Sequence, residues 1–153
     1  MSKQNLMKSV IAMVMTGFIL FSCQKDEKKI VGVWKVDTIE IKELKYSDSE
    51  HEAQMRQYVA GISATTDRMG TIEFTKDGKV ILNTIEKGTY TLDNGKLVVL
   101  VGGGSMFGTI DCSFPKKNTM YWDIDQLEDE GERAVYAEEG VTKYVWRWTL
   151  KKQ

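Results

Sequence analysis

"GTIEFTKDGKVILN", residues 70–83, and "GTYTLDNGKLVVLV", residues 88–101, decide the fold. In the first, Ile72 and Phe74 alternate with Glu73 and Thr75. Asp77-Gly78 then offers a tight turn, and Val80 and Leu82 continue on a return strand. In the second, Tyr90 and Leu92 alternate with Thr89 and Thr91, Asn94-Gly95 turns the chain, and Leu97, Val99 and Val101 come back. Alternation of period two puts one row of side chains on each face of a strand. Asp-Gly and Asn-Gly tolerate the positive φ that tight hairpins need. Two successive antiparallel hairpins are therefore expected.

The same reading extends both ways. Residues 31–42 are strand-like, with Trp34 and Val36 in one phase and Ile39 and Ile41 in the other, so a bulge or bend is expected at Asp37-Thr38. Downstream, Met106, Gly108, Ile110, Cys112 and Phe114 alternate, followed by Met120, Trp122 and Ile124. Tyr144, Trp146, Trp148 and Leu150 share one face of the last strand. The expected strands cover 31–42, 69–76, 79–84, 88–93, 96–101, 105–114, 119–125 and 142–151. Residues 126–140 read as an acidic, irregular stretch in which Ala134-Val135-Tyr136 forms a short extra strand at most. Between the first two strands the period changes: Met55, Tyr58, Val59 and Ile62 make one helical stripe. Ser49 with Glu52, or Ser47 with Glu50, is a candidate capping box, and Gly61 is expected to weaken or end the helix.

The fold class expected is all-β: an eight-stranded antiparallel barrel with one helix between the first and second strands. Closure removes exposed edges. A barrel of this size holds either packed side chains or one small ligand. An open sandwich, or a half-barrel with the helix across its mouth, is the rival architecture.

The amino-terminal region has a different character. Lys3 and Lys8 precede an uncharged run from Val10 to Phe21. As a helix that run would be about 18 Å long, too short for a bilayer core of about 30 Å. A basic segment, a short apolar segment and a small residue, Ser22, describe a secretory leader. Leu20-Phe21-Ser22-Cys23 resembles the lipobox of bacterial lipoproteins, with Phe21 a bulky variant of it. The resemblance implies cleavage before Cys23 and attachment of fatty acyl chains, such as palmitate, to that residue. More than one chain is needed for stable anchoring. Gln24-Lys25-Asp26-Glu27 resembles the short export signal of surface lipoproteins in the Bacteroidetes, and reads equally as a solvated tether. The expected organisation is a leader over 1–22, a tether over 23–29 and a barrel domain over 30–153. The expected location is the outer membrane, held by the lipid on Cys23.

Gly32-Val33-Trp34, together with the two hairpins and Tyr144-Val145-Trp146-Arg147-Trp148, resembles the lipocalin-like lipoproteins of the same group. In lipocalins the tryptophan of Gly-x-Trp closes the barrel base. The early helix departs from ordinary lipocalins and is similar to the fatty-acid-binding branch, where helices cap the barrel at that point. The resemblance implies a small hydrophobic ligand in the interior. The candidate pocket residues are Trp34, Phe74, Tyr90, Met106, Trp122, Tyr144, Trp146 and Trp148, with Met55, Tyr58 and Ile62 from the helix. The same residues taken alone read as ordinary core. The alternative is a filled barrel acting through its outer surface, as a non-enzymatic accessory or interaction module of an envelope complex.

Other chemistries find little support. Lys and Arg total 21 against 22 Asp and Glu, and loss of Lys3 and Lys8 with a leader leaves a more acidic remainder. That gives no electrostatic footprint for nucleic acid. The single histidine, His51, has no second histidine with which to build a zinc set. Asp123, Asp125, Glu128, Asp129, Glu130 and Glu132 lack the spacing of a calcium loop and read as a solvated segment. Gly102-Gly103-Gly104 is not followed by Gly-Lys-Ser/Thr, so no phosphate cradle is expected. With Cys23 acylated, Cys112 would stand alone as a core thiol. No catalytic residue, metal or cofactor is expected.

Overall fold

The computed structural model describes residues 26–153. The expected leader, the lipidation joint at Cys23 and the start of the tether lie outside the described residues.

Strand β1 spans Gly32–Tyr46 and helix α1 spans Ser49–Ser63. After a 3-10 turn at Thr66–Arg68 come β2 (Thr71–Phe74), β3 (Lys79–Leu82), β4 (Ile85–Asp93) and β5 (Lys96–Val101). The short β6 (Gly104–Ser105) precedes β7 (Ile110–Lys116) and β8 (Thr119–Asp125). Helix α2 (Glu130–Glu138) and β9 (Val141–Lys152) complete the order. All neighbours pair antiparallel. β4 pairs with both β3 and β5, and β9 with both β1 and β8, so the sheet closes into an eight-stranded barrel with β6 as an appendage of β5. The architecture is consistent with the lipocalin-like fold that the Gly-x-Trp resemblance implied.

The two hairpins form where their turn residues place them. Asn94 and Gly95 both take positive φ, 47° and 76°, and Asp93 pairs with Lys96. The loop after β2 is closed by the Thr75 N–H to the Lys79 carbonyl, with Gly78 at φ 79°. Gly88 is required for a different reason: a Cβ there would sit 1.8 Å from the Leu100 carbonyl oxygen on β5.

The phase change in β1 is a bulge. Val36 pairs with Leu150 and Thr38 with Thr149, leaving Asp37 as the extra residue. Ile39 and Ile41 thereby join Trp34 and Val36 on the inner face, opposite Trp148 and Trp146. A second shift leaves Lys42 extra. β2 pairs only with residues 32–35 of β1, so the edge of β1 above Lys35 lacks a strand partner on that side. The end of α1 and the 3-10 turn after it take its place: Ile39 N–H donates to Ser63 Oγ at 2.9 Å and Thr66 Oγ1 donates to the Asp37 carbonyl at 2.9 Å. An exposed strand edge is thus covered by a helix.

Several expectations are corrected. The strand foreseen over 105–114 is broken: Gly108 has φ 66°, β6 ends at Ser105 and β7 starts at Ile110. The break reverses the side-chain phase, so Met106 is exposed while Phe107 packs inward. Ala134-Val135-Tyr136 lies in helix α2, where the surrounding glutamates and alanines favour helix over strand. The cap of α1 is Asp48, whose carboxylate accepts from the Glu50 and His51 N–H groups, and neither serine is used. The helix also runs past Gly61 to Ser63.

The core fills the end of the barrel around Trp34, hereafter the base. Ile30, Trp34, Phe74, Val80, Leu97, Ile110, Met120, Trp122 and Leu150 have no accessible surface. A short helical turn over 26–30 packs against this end. Trp34 Nε1 donates to the Ile30 carbonyl at 2.6 Å, and the Trp34 ring tilts against Phe114. Lys152 Nζ donates to the Val31 carbonyl and lies 5.2 Å from the Trp34 ring centroid. On the outer wall Asp123, only 8% exposed, bridges Arg147 and Lys42. Burial pushes its carboxyl up, but the hydrogen bonds from Arg147 and Lys42 outweigh that and hold it below the usual carboxylate range.

Candidate functional site

The inner faces of β2, β4, β8 and β9 build an aromatic column above the base. Phe74 meets Tyr90 edge-on at 4.8 Å and Trp122 at 6.0 Å. Trp122 stacks on Trp148 with centroids 6.3 Å apart, and Phe107 meets Trp148 at 5.2 Å. Opposed positions explain the stack, because Trp122 and Trp148 are direct cross-strand partners on β8 and β9.

A residue with no accessible surface cannot line a space that admits water. Trp34, Phe74 and Trp122 are therefore packed core in this structure. Tyr90, Trp146 and Trp148 retain partial exposure, as do Met55 and Ile62. Tyr144 is only 2% exposed yet borders a cleft at the mouth. Tyr58 and Met106 are exposed, at 66% and 42%. The candidates thus divide between a filled base and a mouth half bounded by Trp146, Trp148, Tyr144 and the helix.

Polar groups in this column are few. Tyr90 donates its hydroxyl to the Thr75 carbonyl at 2.7 Å, and burial raises its pKa. The indole N–H groups of Trp122 and Trp148 are buried with no acceptor. Trp146 Nε1 lies against the Tyr144 hydroxyl without reaching hydrogen-bond geometry. Burial also raises the Tyr144 pKa. By contrast, the Trp34 indole at the base is satisfied.

At the mouth, α1, α2 and the ends of β1 and β9 converge. Tyr46, His51, Gln54, Met55, Tyr58, Gln126, Tyr136, Glu139, Tyr144 and Trp146 line a cleft of about 360 Å³. Tyr136 meets Tyr144 at 5.5 Å and Tyr144 meets Trp146 at 6.0 Å, both nearly perpendicular. His51 is exposed and its Nδ1 lies 2.8 Å from Asp48, which raises the imidazole pKa. Sequence reasoning missed Phe107, Tyr46 and Tyr136. The glycine after Phe107 was the available signal for the first; the other two are brought in only by docking of distant elements.

Further clefts lie among the described residues. One of about 680 Å³ runs between α2 and the wall beside Lys96, Asp111, Asp125, Arg133 and Lys143. Its lysines are paired, Lys96 with Asp111 and Lys143 with Asp125. Another, about 460 Å³, borders Phe107, Ile124, Gln126 and Glu128, and a third, about 510 Å³, lies along Tyr58 and Ile62 of α1. Cys112 is buried, and burial followed by the nearby Asp26 and Asp123 charges pushes its thiol up to about 12, so it is not poised as a nucleophile. Among the described residues no group of His, Cys, Asp or Glu converges to hold a metal ion. No helix among them is long and apolar enough to cross a membrane. Compared with protein-family models, curated proteins and solved structures, the chain matches none.

Proposed function

We propose that the chain is a non-enzymatic lipoprotein, held at the outer membrane by acyl chains on Cys23, that carries a small hydrophobic ligand in the mouth half of its barrel. The observation that supports the ligand most strongly is the pair of buried, unpaired indole N–H groups on Trp146 and Trp148, the two tryptophans that keep partial exposure in the mouth half. Buried donors are nearly always satisfied, and leaving one unmet costs about 1–3 kcal/mol. Two in one apolar column favour an acceptor supplied from outside the chain. A lipid or other apolar compound with a carbonyl, ester or ether oxygen would supply it while burying its hydrocarbon against Trp146, Trp148, Phe107 and Ile41.

The filled base favours a second reading. Trp34, Phe74 and Trp122 leave no space around them. A barrel packed throughout would act through its outer wall, where Leu100 is 44% exposed, as an accessory module of an envelope complex.

Intact mass spectrometry of the full chain extracted from its native membrane separates the two. A discrete added mass that survives gentle ionisation and is lost on denaturation, distinct from the covalent acyl mass, supports the carrier. A protein that never carries such a mass contradicts it.

A further inference from the structure

We propose that the mouth cleft is a site for an organic cation, taking the ammonium head of an amphiphile whose apolar part enters the lumen. This rests on the carrier reading above and adds the class of ligand. The cleft is lined by five aromatic side chains, Tyr46, Tyr58, Tyr136, Tyr144 and Trp146. The Tyr136–Tyr144 and Tyr144–Trp146 pairs are edge-to-face, at 76° and 73°, so the wall of the cleft is built from rings held in different planes. A cation among ring faces is attracted by their quadrupoles, most strongly where water is displaced. The volume of about 360 Å³ is at the small end for ligand pockets, roughly 300–1,000 Å³, and suits a head group better than a whole lipid.

The charges point the same way. Glu139 is the one carboxylate in the lining, and neither lysine nor arginine belongs to it. The nearby Lys143 is matched by Asp125 and Lys45 by Glu43. His51 faces Asp48 across 2.8 Å, with Glu50 and Glu139 close enough to act on it, so a positive charge there is already countered. Tyr46 has a raised pKa, from desolvation first and then from Glu139 and Asp48, as expected of a negative potential at the rim. An anionic head would meet that potential with no free guanidinium or ammonium in the lining to receive it.

The chemistry is assembled from four separate elements. Tyr144 and Trp146 are inward residues of β9, paired with Leu44 and Ile41. Met55 and Tyr58 come from α1 and Tyr136 from α2. Tyr46 ends β1 just before the helix cap. The same Trp146 packs against the core cluster, which joins the head site to the lumen.

The test uses three probes of equal chain length, decyltrimethylammonium, decanol and decanoate, below micelle formation and titrated into the full chain. Tryptophan emission is a local readout, because all four tryptophans, Trp34, Trp122, Trp146 and Trp148, lie in the barrel. The ammonium probe should bind at least about tenfold more tightly than decanoate and several-fold more tightly than decanol. Glu139→Gln, at an exposed position, and Tyr136→Ala should shrink that preference, each weakening the ammonium probe several-fold more than decanol. Equal binding of all three probes, or a preference for decanoate, would overturn the cation site and leave the carrier reading standing. Failure of every probe to bind would overturn both.

Discussion

Trp34→Ala is the sharpest test of how the barrel is held shut at its base. Trp34 has no accessible surface, and its indole donates to the Ile30 carbonyl at 2.6 Å. Its ring is flanked by Phe114, centroids 6.2 Å apart, and by the Lys152 ammonium 5.2 Å from its own centroid. Truncating a buried tryptophan to alanine costs about 3–5 kcal/mol. Here the Ile30 carbonyl loses its donor and Lys152 loses the ring face, so the upper part of that range applies, about 4–5 kcal/mol. A domain of this size has about 5–15 kcal/mol in all. With a urea dependence of about 2 kcal/mol per molar, the midpoint should fall by about 2 M. Trp34→Phe keeps a ring and loses the indole donor, so it should lie between the two. A urea titration followed by far-ultraviolet circular dichroism measures both. A Trp34→Ala loss under about 1 kcal/mol, a shift of roughly 0.5 M, would refute the reasoning that the base is closed by this residue.

Asp123 gives a prediction with a sign in pH. Its carboxylate accepts from Arg147 Nε at 2.7 Å and from Lys42 Nζ at 2.6 Å, and its pKa is lowered on balance. A lowered folded pKa means that the stabilisation is full above the unfolded value, about 3.9, and is lost as pH falls through the folded one. Asp123→Asn should therefore cost about 1.5–3 kcal/mol at neutral pH, toward the lower end because Lys42 is half-exposed. The gap to the wild type should narrow in thermal melts as pH drops below about 4; a gap independent of pH would contradict the assignment. Cys23→Ala should leave the melting curve unchanged and release the chain from the membrane fraction, and its retention after high-salt and carbonate washing would sink the lipid anchor.

Much of the fold is local and could be read locally. Asp77-Gly78 and Asn94-Gly95 are turns that need little beyond their own φ preferences, and the strands either side follow from period two. The broken phase between Val36 and Ile39 revealed the Asp37 bulge because a one-residue insertion is the only way to keep both apolar pairs on one face. The stripe on α1 was legible for the same geometric reason, although its centre is Val59, with Tyr58 turned to solvent. What failed depended on context. Gly108 could be read as one more member of an alternating row; only its positive φ shows that the row breaks and that Phe107, not Met106, faces Trp122 and Trp148. Ala134-Val135-Tyr136 is apolar enough for a strand, and its helix is decided by the flanking residues and by docking near β9. The mouth site was the least legible part. Tyr46, Tyr136 and Glu139 are scattered in sequence, and nothing local marks them as neighbours of Trp146.

The carrier reading is tested most directly at the indole protons themselves. Selective ¹⁵N labelling of tryptophan gives one indole signal for each of the four tryptophans, which can be followed as the full chain is stripped of extractable lipid and then reloaded. The account predicts that the Trp146 and Trp148 indole signals move downfield on loading, as their N–H groups gain an acceptor, while the Trp34 signal, already bonded to the Ile30 carbonyl, stays in place. Signals of Trp146 and Trp148 that are identical in the stripped and reloaded protein would contradict it.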